Sequence, residues 1–311
     1  MISRAPATGG ILDLVGNTPL LRIRLFEQRF PGLQVYAKAE WFNPGGSVKD
    51  RAALSMLRDG EERGALDHSK IVIDSTSGNT GVAYAMIGSA KGYRVKLVMP
   101  KNVGSERKEL VRAFGAEIVF SDQMEGSDGA IILCKQLVAE SPDRYFYPDQ
   151  YSNPANPNAH YQGTGLEILE QTSGQVTHFV AGLGTTGTFT GTARRLKENN
   201  PSIRTIAVQP ADSFHGLEGM KHLPTSIVPA IWDPGVADEV WECPTEEAYK
   251  LARTLCRQEG LLVGHSSGAA LWAVGKLAES VREGVIVTVF PDGGDRYLST
   301  GLYTYRVGDR S

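Results

Sequence analysis

The stretch NPGGSVKDR at residues 43–51 separates two hydrophobic patterns of different period. Residues 34–41 alternate as a β-strand does, and the residues after the stretch follow the spacing of a helix. Lys49 therefore lies in the first turn of that helix, with Ser47 as the predicted N-cap and Asp50 as its capping-box partner. A cation at this end opposes the helix dipole, and the same field lowers the pKa of an ammonium group. Lys49 is a candidate for a neutral, nucleophilic amine, and the alternative is a surface lysine paired with a carboxylate.

The overall composition narrows the classes of function. Of the 311 residues, 41% are hydrophobic, and 32 Lys and Arg against 35 Asp and Glu give a net charge of −3. Because no basic run stands out, binding to nucleic acid or to an anionic membrane is not expected, and no apolar stretch approaches the roughly 20 residues of a transmembrane helix. Three cysteines without a C-x-x-C pair suit a reducing cytoplasm, and no His or Cys cluster indicates a metal site. The sequence predicts a cytoplasmic protein of about two domains.

Short β-type runs alternate with helical stretches along nearly the whole chain. Most runs contain too many consecutive apolar residues for half-exposed strands, which is typical of buried parallel strands. The alternation predicts α/β layers with mostly parallel sheets. The Pro- and Asn-rich segment at 147–161 is the predicted domain boundary, and the ligand site is expected in the cleft between the domains. The predicted strands are 70–74, 95–99, 116–120, 178–182, 204–208 and 285–290, and the predicted helices include 105–114, 187–199 and 245–259.

Three glycine-rich loops with hydroxyl groups each lie between a strand and a helix. In STSGNTG at 75–81, the hydroxyls of Thr76, Ser77 and Thr80 join N–H groups at a helix start, which bind anions such as carboxylate or phosphate. The alternative for this loop is a well-capped turn that binds nothing. In GHSSGAA at 264–270 the serines, taken alone, indicate no more than helix caps.

The third loop, GLGTTGTFTG at 182–191, matches the G-x-G-x-x-G pattern of a dinucleotide site. Such a site also needs an acid about 20 residues later to hold the ribose, where this sequence has Gln209. The four threonines of the loop suit a single phosphate better than a pyrophosphate. A phosphate monoester is the favoured ligand, with a dinucleotide and a structural turn as alternatives. A nucleophilic lysine, a carboxylate loop and a phosphate loop together indicate pyridoxal 5′-phosphate acting on an amino acid.

The ordered motifs NPGGSVKDR, TSGNTG, QYSNPANP, GLGTTGT and SSGAA resemble those of the fold type II pyridoxal-phosphate enzymes, specifically the O-acetylserine sulfhydrylases. The resemblance extends from residue 16 to residue 300. It implies two three-layer α/β domains, a smaller one at 38–148 with a mobile part and a larger one at 149–311 plus 1–37. The active site would lie in the cleft between the domains, and the enzyme would be a homodimer.

The resemblance also implies roles for individual residues. Lys49 would bind the cofactor as a Schiff base and act as the general base, Asn79 would contact the ring oxygen of the cofactor, and Ser266 would face its pyridine nitrogen. The implied reaction is a β-replacement that forms L-cysteine through an aminoacrylate intermediate, from O-acetylserine or O-phosphoserine and sulfide or thiosulfate. Two further sets are implied: Gly184, Thr185, Thr186, Gly187 and Thr188 for the phosphate, and Thr76, Ser77, Thr80 and Gln150 for the substrate carboxylate.

The segment GMKHLPTSIVPAIWDP at 219–234 resembles the B-type isozyme, with Lys221 at a substrate-binding position where that type tends to carry arginine. Lysine keeps the charge but loses the bidentate fork that holds an anionic group. His265 is interpreted as a packing residue, with the sensing of substrate charge as the alternative. The rival functions are a cystathionine β-synthase-like enzyme, a serine or threonine dehydratase, an NAD-dependent dehydrogenase and a non-enzymatic binding protein.

Overall fold

The alternation of strands and helices is present in the folded protein. A computed structural model describes residues 9–76 and 78–303, and these ranges contain ten β-strands and nine α-helices. The strands are β1 (Leu20–Ile23), β2 (Leu33–Ala39), β3 (Ile71–Ser75), β4 (Arg94–Pro100), β5 (Glu117–Ser121), β6 (Tyr145–Phe146), β7 (His178–Gly182), β8 (Arg204–Pro210), β9 (Glu239–Cys243) and β10 (Gly284–Phe290). The helices are α1 (Lys49–Glu62), α2 (Asn79–Lys91), α3 (Ser105–Ala113), α4 (Gly126–Glu140), α5 (Ala155–Ala159), α6 (Gly165–Gln171), α7 (Gly187–Asn199), α8 (Thr245–Glu259) and α9 (His265–Ala278). Within the same ranges no helix is both long enough and apolar enough to cross a bilayer.

The strands form two sheets, which confirms the predicted fold class. The larger sheet has the order β1-β2-β10-β7-β8-β9, and the smaller has the order β5-β4-β3-β6. Only β1 pairs antiparallel with its neighbour, and the other pairs in both described sheets are parallel. The predicted domain boundaries at 38 and 148 stay a prediction: β3 to β6 lie between them, and the last two residues of β2 pair with β10 in the larger sheet.

Alternate side chains of the strands pack against helices on opposite faces, which gives each sheet three layers. In β7, Val180 packs with residues of α8 and α9, whereas Phe179 and Ala181 pack with residues of α6 and α7. In the smaller sheet, Val72 belongs to the core formed with α1 and α2, and Ile73 to the core formed with α4. Because both faces of these strands are buried, their sequences are continuously apolar rather than alternating.

The predicted N-cap of α1 is wrong by one residue. The helix begins at Lys49 with Val48 as its N-cap, and Ser47, one residue earlier, accepts the N–H of Lys49 on its Oγ at 3.3 Å. The other half of the predicted capping box is absent, because the Asp50 carboxylate accepts the N–H of Gly45 at 2.5 Å rather than that of Ser47. Ser47 also forms an isolated β-bridge with Asp292, beside which the N–H of Val48 donates to the carbonyl oxygen of Pro291 at 2.8 Å. Lys49 still lies in the first turn, as predicted.

A buried ion network holds α1 against β2 and α6. The Arg51 guanidinium lies 2.7 Å from a Glu40 oxygen and 2.5 Å from a Glu167 oxygen, and Lys38 Nζ lies 2.6 Å from the other Glu167 oxygen. The side chains of Lys38, Glu40 and Arg51 are at most 4% exposed. Because moving one partner away would leave a buried charge unpaired, the network fixes the position of the helix that carries Lys49.

Candidate active site

The predicted site residues come together around two adjoining cavities at the carboxyl ends of β3, β7 and β10. The cavities measure about 430 Å³ and about 40 Å³, and both are lined by Lys49 and Asn79. A groove of about 1030 Å³ on the outer face of α1 and α6 is larger, but none of the predicted site residues lines it. The smaller cavity is also lined by Gly184, Thr185, Thr186, Thr188 and Ser266, and the larger by Thr76, Thr80, Gln150 and Lys221.

Two predicted site residues need separate mention. Gly187 begins α7 directly after Thr186 and is buried, although it does not line the smaller cavity itself. Ser77 lies outside the described residues. All the other predicted residues therefore border one continuous region of the cleft.

Lys49 lies where the two cavities meet. Burial lowers the pKa of its ammonium group, and the nearby Asp292 carboxylate acts in the opposite direction. The net direction is downward, as the position at the helix start also requires. An amine with a lowered pKa is the form that attacks a carbonyl group or accepts a proton.

The β7–α7 loop forms a cradle of backbone and hydroxyl groups. Thr186 adopts a left-handed backbone conformation with φ of 73°, which is strained for a β-branched residue, and its buried Oγ1 has no hydrogen-bond partner among the described residues. Gly184 has no room for a side chain, because a Cβ atom there would lie 2.3 Å from the carbonyl oxygen of Gly219. Helix α7 begins directly after this loop, and the unpaired N–H groups of a helix N-terminus suit an anion.

The segment after α5 supports the cradle from behind. Residues His160–Thr164 form a π-helical turn, and His160 Nε2 lies 3.2 Å from Thr188 Oγ1 while its Nδ1 lies 2.9 Å from Thr164 Oγ1. Burial lowers the pKa of His160 to about 3, so its ring is neutral at pH 7. The Pro- and Asn-rich composition of this segment predicted a domain boundary, and no sequence signal indicated His160, although the QYSNPANP motif lies just before it.

Asn79 forms hydrogen bonds with two residues that no sequence pattern indicated. Its Nδ2 donates to Asp292 Oδ2 at 2.5 Å, and its Oδ1 accepts from Arg296 at 2.7 Å. Asp292 also accepts from the Tyr297 hydroxyl at 2.5 Å, and burial raises the pKa of its carboxyl group. The PDGGDRYLST segment was part of the resemblance, but no local signal paired it with Asn79, 213 residues away.

Gln150 organises the loop at 75–81 on the other side of the cleft. Its Oε1 accepts from the Thr80 hydroxyl at 2.8 Å, and its Nε2 donates to the Ser75 carbonyl oxygen at 2.7 Å. Thr76 Oγ1 accepts the N–H groups of Gly78 and Gly81 at 3.1 and 3.2 Å. The loop is therefore braced internally around the space that the larger cavity occupies.

Comparison with known proteins decides which kind of ligand this site serves. A family model described as "Pyridoxal-phosphate dependent enzyme" matches residues 11–292. The chain belongs to this enzyme family. It is 53% identical to the cysteine synthase of Aquifex aeolicus, with 94% of this chain and 92% of the relative covered, and 40% identical to cysteine synthase B of Escherichia coli, with 93% and 94% covered. A crystal structure of cysteine synthase from Entamoeba histolytica has a TM-score of 0.92 at 36% identity, with 97% of this chain and 93% of that chain covered.

The cofactor of the enzyme is pyridoxal phosphate, as predicted, and the residues of the smaller cavity fit it. One phosphate group suits this cavity for three reasons: the buried Thr186 hydroxyl has no partner among the described residues, Gly184 leaves no room for a side chain, and α7 begins there. Lys49, with its lowered pKa, suits an aldehyde. These features and the family match favour pyridoxal phosphate over the dinucleotide alternative.

Two ion pairs connect the smaller-sheet side of the enzyme to the segment that follows β8. Lys221 Nζ lies 2.7 Å from Asp128 Oδ1 on α4, and Arg107 on α3 pairs with Glu218. The Arg107 guanidinium also lies 4.9 Å from the centre of the Tyr297 ring. Both pairs stand at the larger cavity, so Lys221 reaches the cleft with its charge already balanced.

His265 packs in the enzyme between two aromatic rings. Its ring centre lies 5.1 Å from that of Tyr249 and 4.3 Å from that of Tyr297, and Nε2 lies 3.2 Å from Thr300 Oγ1. The side chain lines neither cavity, and burial lowers its pKa to about 4. This geometry accords with the packing interpretation.

Proposed function

We propose that the protein is a cysteine synthase that replaces the acetate group of O-acetyl-L-serine with sulfide. The observation that carries this proposal is the position of Lys49, between a cavity built for one phosphate and a cleft lined by a carboxylate loop. The similarity to proteins named cysteine synthase at 40–53% identity supports the same reaction.

We propose the predicted roles for the residues of the smaller cavity. Lys49 carries the cofactor covalently, Asn79 contacts its ring oxygen, and the Ser266 hydroxyl faces its pyridine nitrogen. When bound, the cofactor supplies an electron sink for the bonds at the α-carbon of the substrate. A neutral hydroxyl in the first turn of α9 does not hold a proton on the pyridine nitrogen, which favours prompt loss of the β-substituent. The phosphate is held by Gly184, Thr185, Thr186, Gly187 and Thr188.

The loop at 75–81 and Gln150 bind the substrate carboxylate in this proposal. Thr76, Ser77, Thr80 and Gln150 provide hydroxyl, amide and backbone N–H donors. The hydrogen bonds of Thr76 with Gly78 and of Thr80 with Gln150 orient the loop before the substrate arrives. Lys49 removes the proton from the α-carbon and later returns it. Between these two transfers, acetate leaves the β-carbon and sulfide adds there. The lowered pKa of Lys49 suits both directions of transfer.

The balanced charge of Lys221 favours the acetyl ester over the phosphate ester as the leaving group. Asp128 neutralises the lysine, so a doubly charged phosphate at this end of the cleft would meet an ion pair with no net positive charge to balance it. A homodimer and a cytoplasmic location remain predictions, and the three free cysteines suit the latter.

The experiment that tests the proposal compares the wild type with Lys49→Ala. We expect the wild type, loaded with pyridoxal phosphate, to form L-cysteine from O-acetyl-L-serine and sulfide, and to show a visible absorption band that borohydride abolishes. Lys49→Ala should lack that band and lose at least about 100-fold in rate. Lys135→Ala, which removes an exposed lysine from α4, serves as the matched control. A wild type that turns over neither O-acetyl-L-serine nor O-phosphoserine would overturn the proposal.

A further inference from the structure

Asn156 lies between the substrate loop and the phosphate cradle. It belongs to the short helix α5 and is 2% exposed. One hydrogen of its Nδ2 is donated to the carbonyl oxygen of Gln150 at 2.7 Å and the other to Thr185 Oγ1 at 3.2 Å. A single buried amide group therefore touches a residue of the substrate side and a residue of the cofactor side.

The orientation of the Asn156 amide is determined by its neighbours. A backbone carbonyl oxygen only accepts hydrogen bonds, so the atom 2.7 Å from the Gln150 oxygen is the NH2 group and not the carbonyl of the side chain. The reversed orientation would place two acceptors in contact inside the protein, which is unfavourable. Thr185 consequently faces a donor and must accept from it.

Thr185 has a second donor on the same oxygen. The N–H of Gly187 points at Thr185 Oγ1 over 3.4 Å, so both lone pairs of the hydroxyl are engaged. The proton of the hydroxyl is then left to be donated, and Thr185 lines both cavities. A hydroxyl fixed in this way is a donor aimed at an anion.

Gly187 closes the arrangement on the other side of the amide. A Cβ atom at Gly187 would lie 2.1 Å from Asn156 Oδ1, so the amide packs directly against the backbone of the cradle. Gln150, the other partner of Asn156, accepts from the Thr80 hydroxyl through its own side chain. Asn156 thus lies in a continuous chain of contacts from the substrate loop to the cradle.

We propose that Asn156 is a positioning residue of the enzyme: it directs the proton of the Thr185 hydroxyl toward the cofactor phosphate and ties the cradle to Gln150. The inference rests on the proposed function, because it takes the ligand of the cradle to be the phosphate of pyridoxal phosphate. Asn156 itself does not line either cavity and acts through Thr185.

The experiment measures the dissociation constant of pyridoxal phosphate by titrating apoenzyme variants and following the absorbance of the bound cofactor. Asn156→Ala removes the donor, and Asn156→Asp keeps the shape but replaces the donor with an acceptor. We expect Asn156→Ala to weaken cofactor binding by about 10-fold. Asn156→Asp should weaken it further, because the carboxylate captures the Thr185 proton and adds negative charge behind the phosphate. Asn158→Ala, on the exposed side of the same helix, should bind as the wild type does.

A double-mutant cycle tests whether Asn156 acts through Thr185. Thr185→Val should weaken binding by about 10-fold, Thr185→Ser should retain it, and Asn156→Ala should add at most about two-fold in the Thr185→Val background. Circular dichroism of each apoenzyme checks the fold. If Asn156→Ala does not fold, Asn156→Asp, which keeps the shape of the side chain, still tests whether the donor to Thr185 is needed.

Two results would overturn the inference alone: wild-type cofactor binding by Asn156→Asp, which indicates a role in packing only, and full additivity in the cycle. A wild-type enzyme that takes up no pyridoxal phosphate would instead overturn the proposed function, and the inference with it. The test does not depend on KM for O-acetyl-L-serine, because the dissociation constant of pyridoxal phosphate is measured without substrate.

Discussion

Adding one methyl group at Gly184 should displace the phosphate cradle. A Cβ atom there would lie 2.3 Å from the carbonyl oxygen of Gly219, and the backbone of Gly184 is not in the left-handed region, so the restriction is one of space alone. The segment that carries Gly219 is not free to retreat, because the N–H of Lys221 donates to the Leu183 oxygen at 2.8 Å. The two segments are therefore tied together beside the contact that the methyl group would break.

The size of the effect follows from the overlap. Ordinary contacts between heavy atoms lie near roughly 3.5 Å, so the loop or its neighbour must move by roughly 1 Å. Forcing an extra methyl group into a packed site costs about 1–3 kcal/mol. At 1.4 kcal/mol for each ten-fold change, Gly184→Ala should weaken the binding of pyridoxal phosphate by roughly 5- to 150-fold.

The assay is the titration of apoenzyme with pyridoxal phosphate, and Gly182→Ala is the matched control. A Cβ atom at Gly182 would meet the terminal Cε of Met220 at 3.1 Å, and this flexible end of a side chain can rotate away. We expect Gly182→Ala to change the dissociation constant by at most about three-fold. The steric argument would be refuted if Gly184→Ala bound pyridoxal phosphate as tightly as the wild type does, or if the two variants lost the same amount of affinity.

Two further predictions concern charge. Burial acts to raise the pKa of Glu167, but the hydrogen bonds and charges of Arg51 and Lys38 lower it to about 2. Glu167→Gln should therefore reduce the free energy of unfolding by about 3 kcal/mol at pH 7. The Glu167 carboxylate stabilises the folded protein fully above pH 4.5, its unfolded pKa, and loses this contribution as the pH falls to about 2, its folded pKa. Denaturant titrations should therefore show that the stability difference between the wild type and Glu167→Gln shrinks between these pH values. A constant difference would contradict the lowered pKa of Glu167. At the cleft, Asp128→Asn leaves Lys221 without its ion-pair partner and should raise kcat/KM for O-phosphoserine relative to O-acetylserine by about 3- to 10-fold. An unchanged ratio would show that Lys221 does not lie near the leaving group.

Much of the fold was predictable because its signals are local. The apolar runs of β7 and β10 identify buried strands, and α7 occupies the predicted residues 187–199. The order of the glycine loops identified the cofactor and its family. The short strand β6 and the antiparallel β1 were not predicted, because four residues or fewer carry little periodicity.

Several functional contacts were not predictable, because they join residues far apart in the chain. Asp292 lies 213 residues from Asn79, and their pairing requires β10 to be inserted between β2 and β7 in the larger sheet. Asn156 looked like part of a linker, and only the tertiary structure shows that it is buried between Gln150 and Thr185.

The sequence by itself determined the alternation of strands and helices, the lysine at the start of α1 and the loops that mark a phosphate and a carboxylate. Those features depend on backbone preferences, side-chain periodicity and the helix dipole, which act over a few residues. The tertiary structure alone decided which groups surround Lys49, which charges are already paired at the cleft and which donors face the Thr185 hydroxyl. Hydrogen bonds and desolvation act between atoms in contact, and contact between residues 29 to 213 positions apart is set by the order of strands in the sheets.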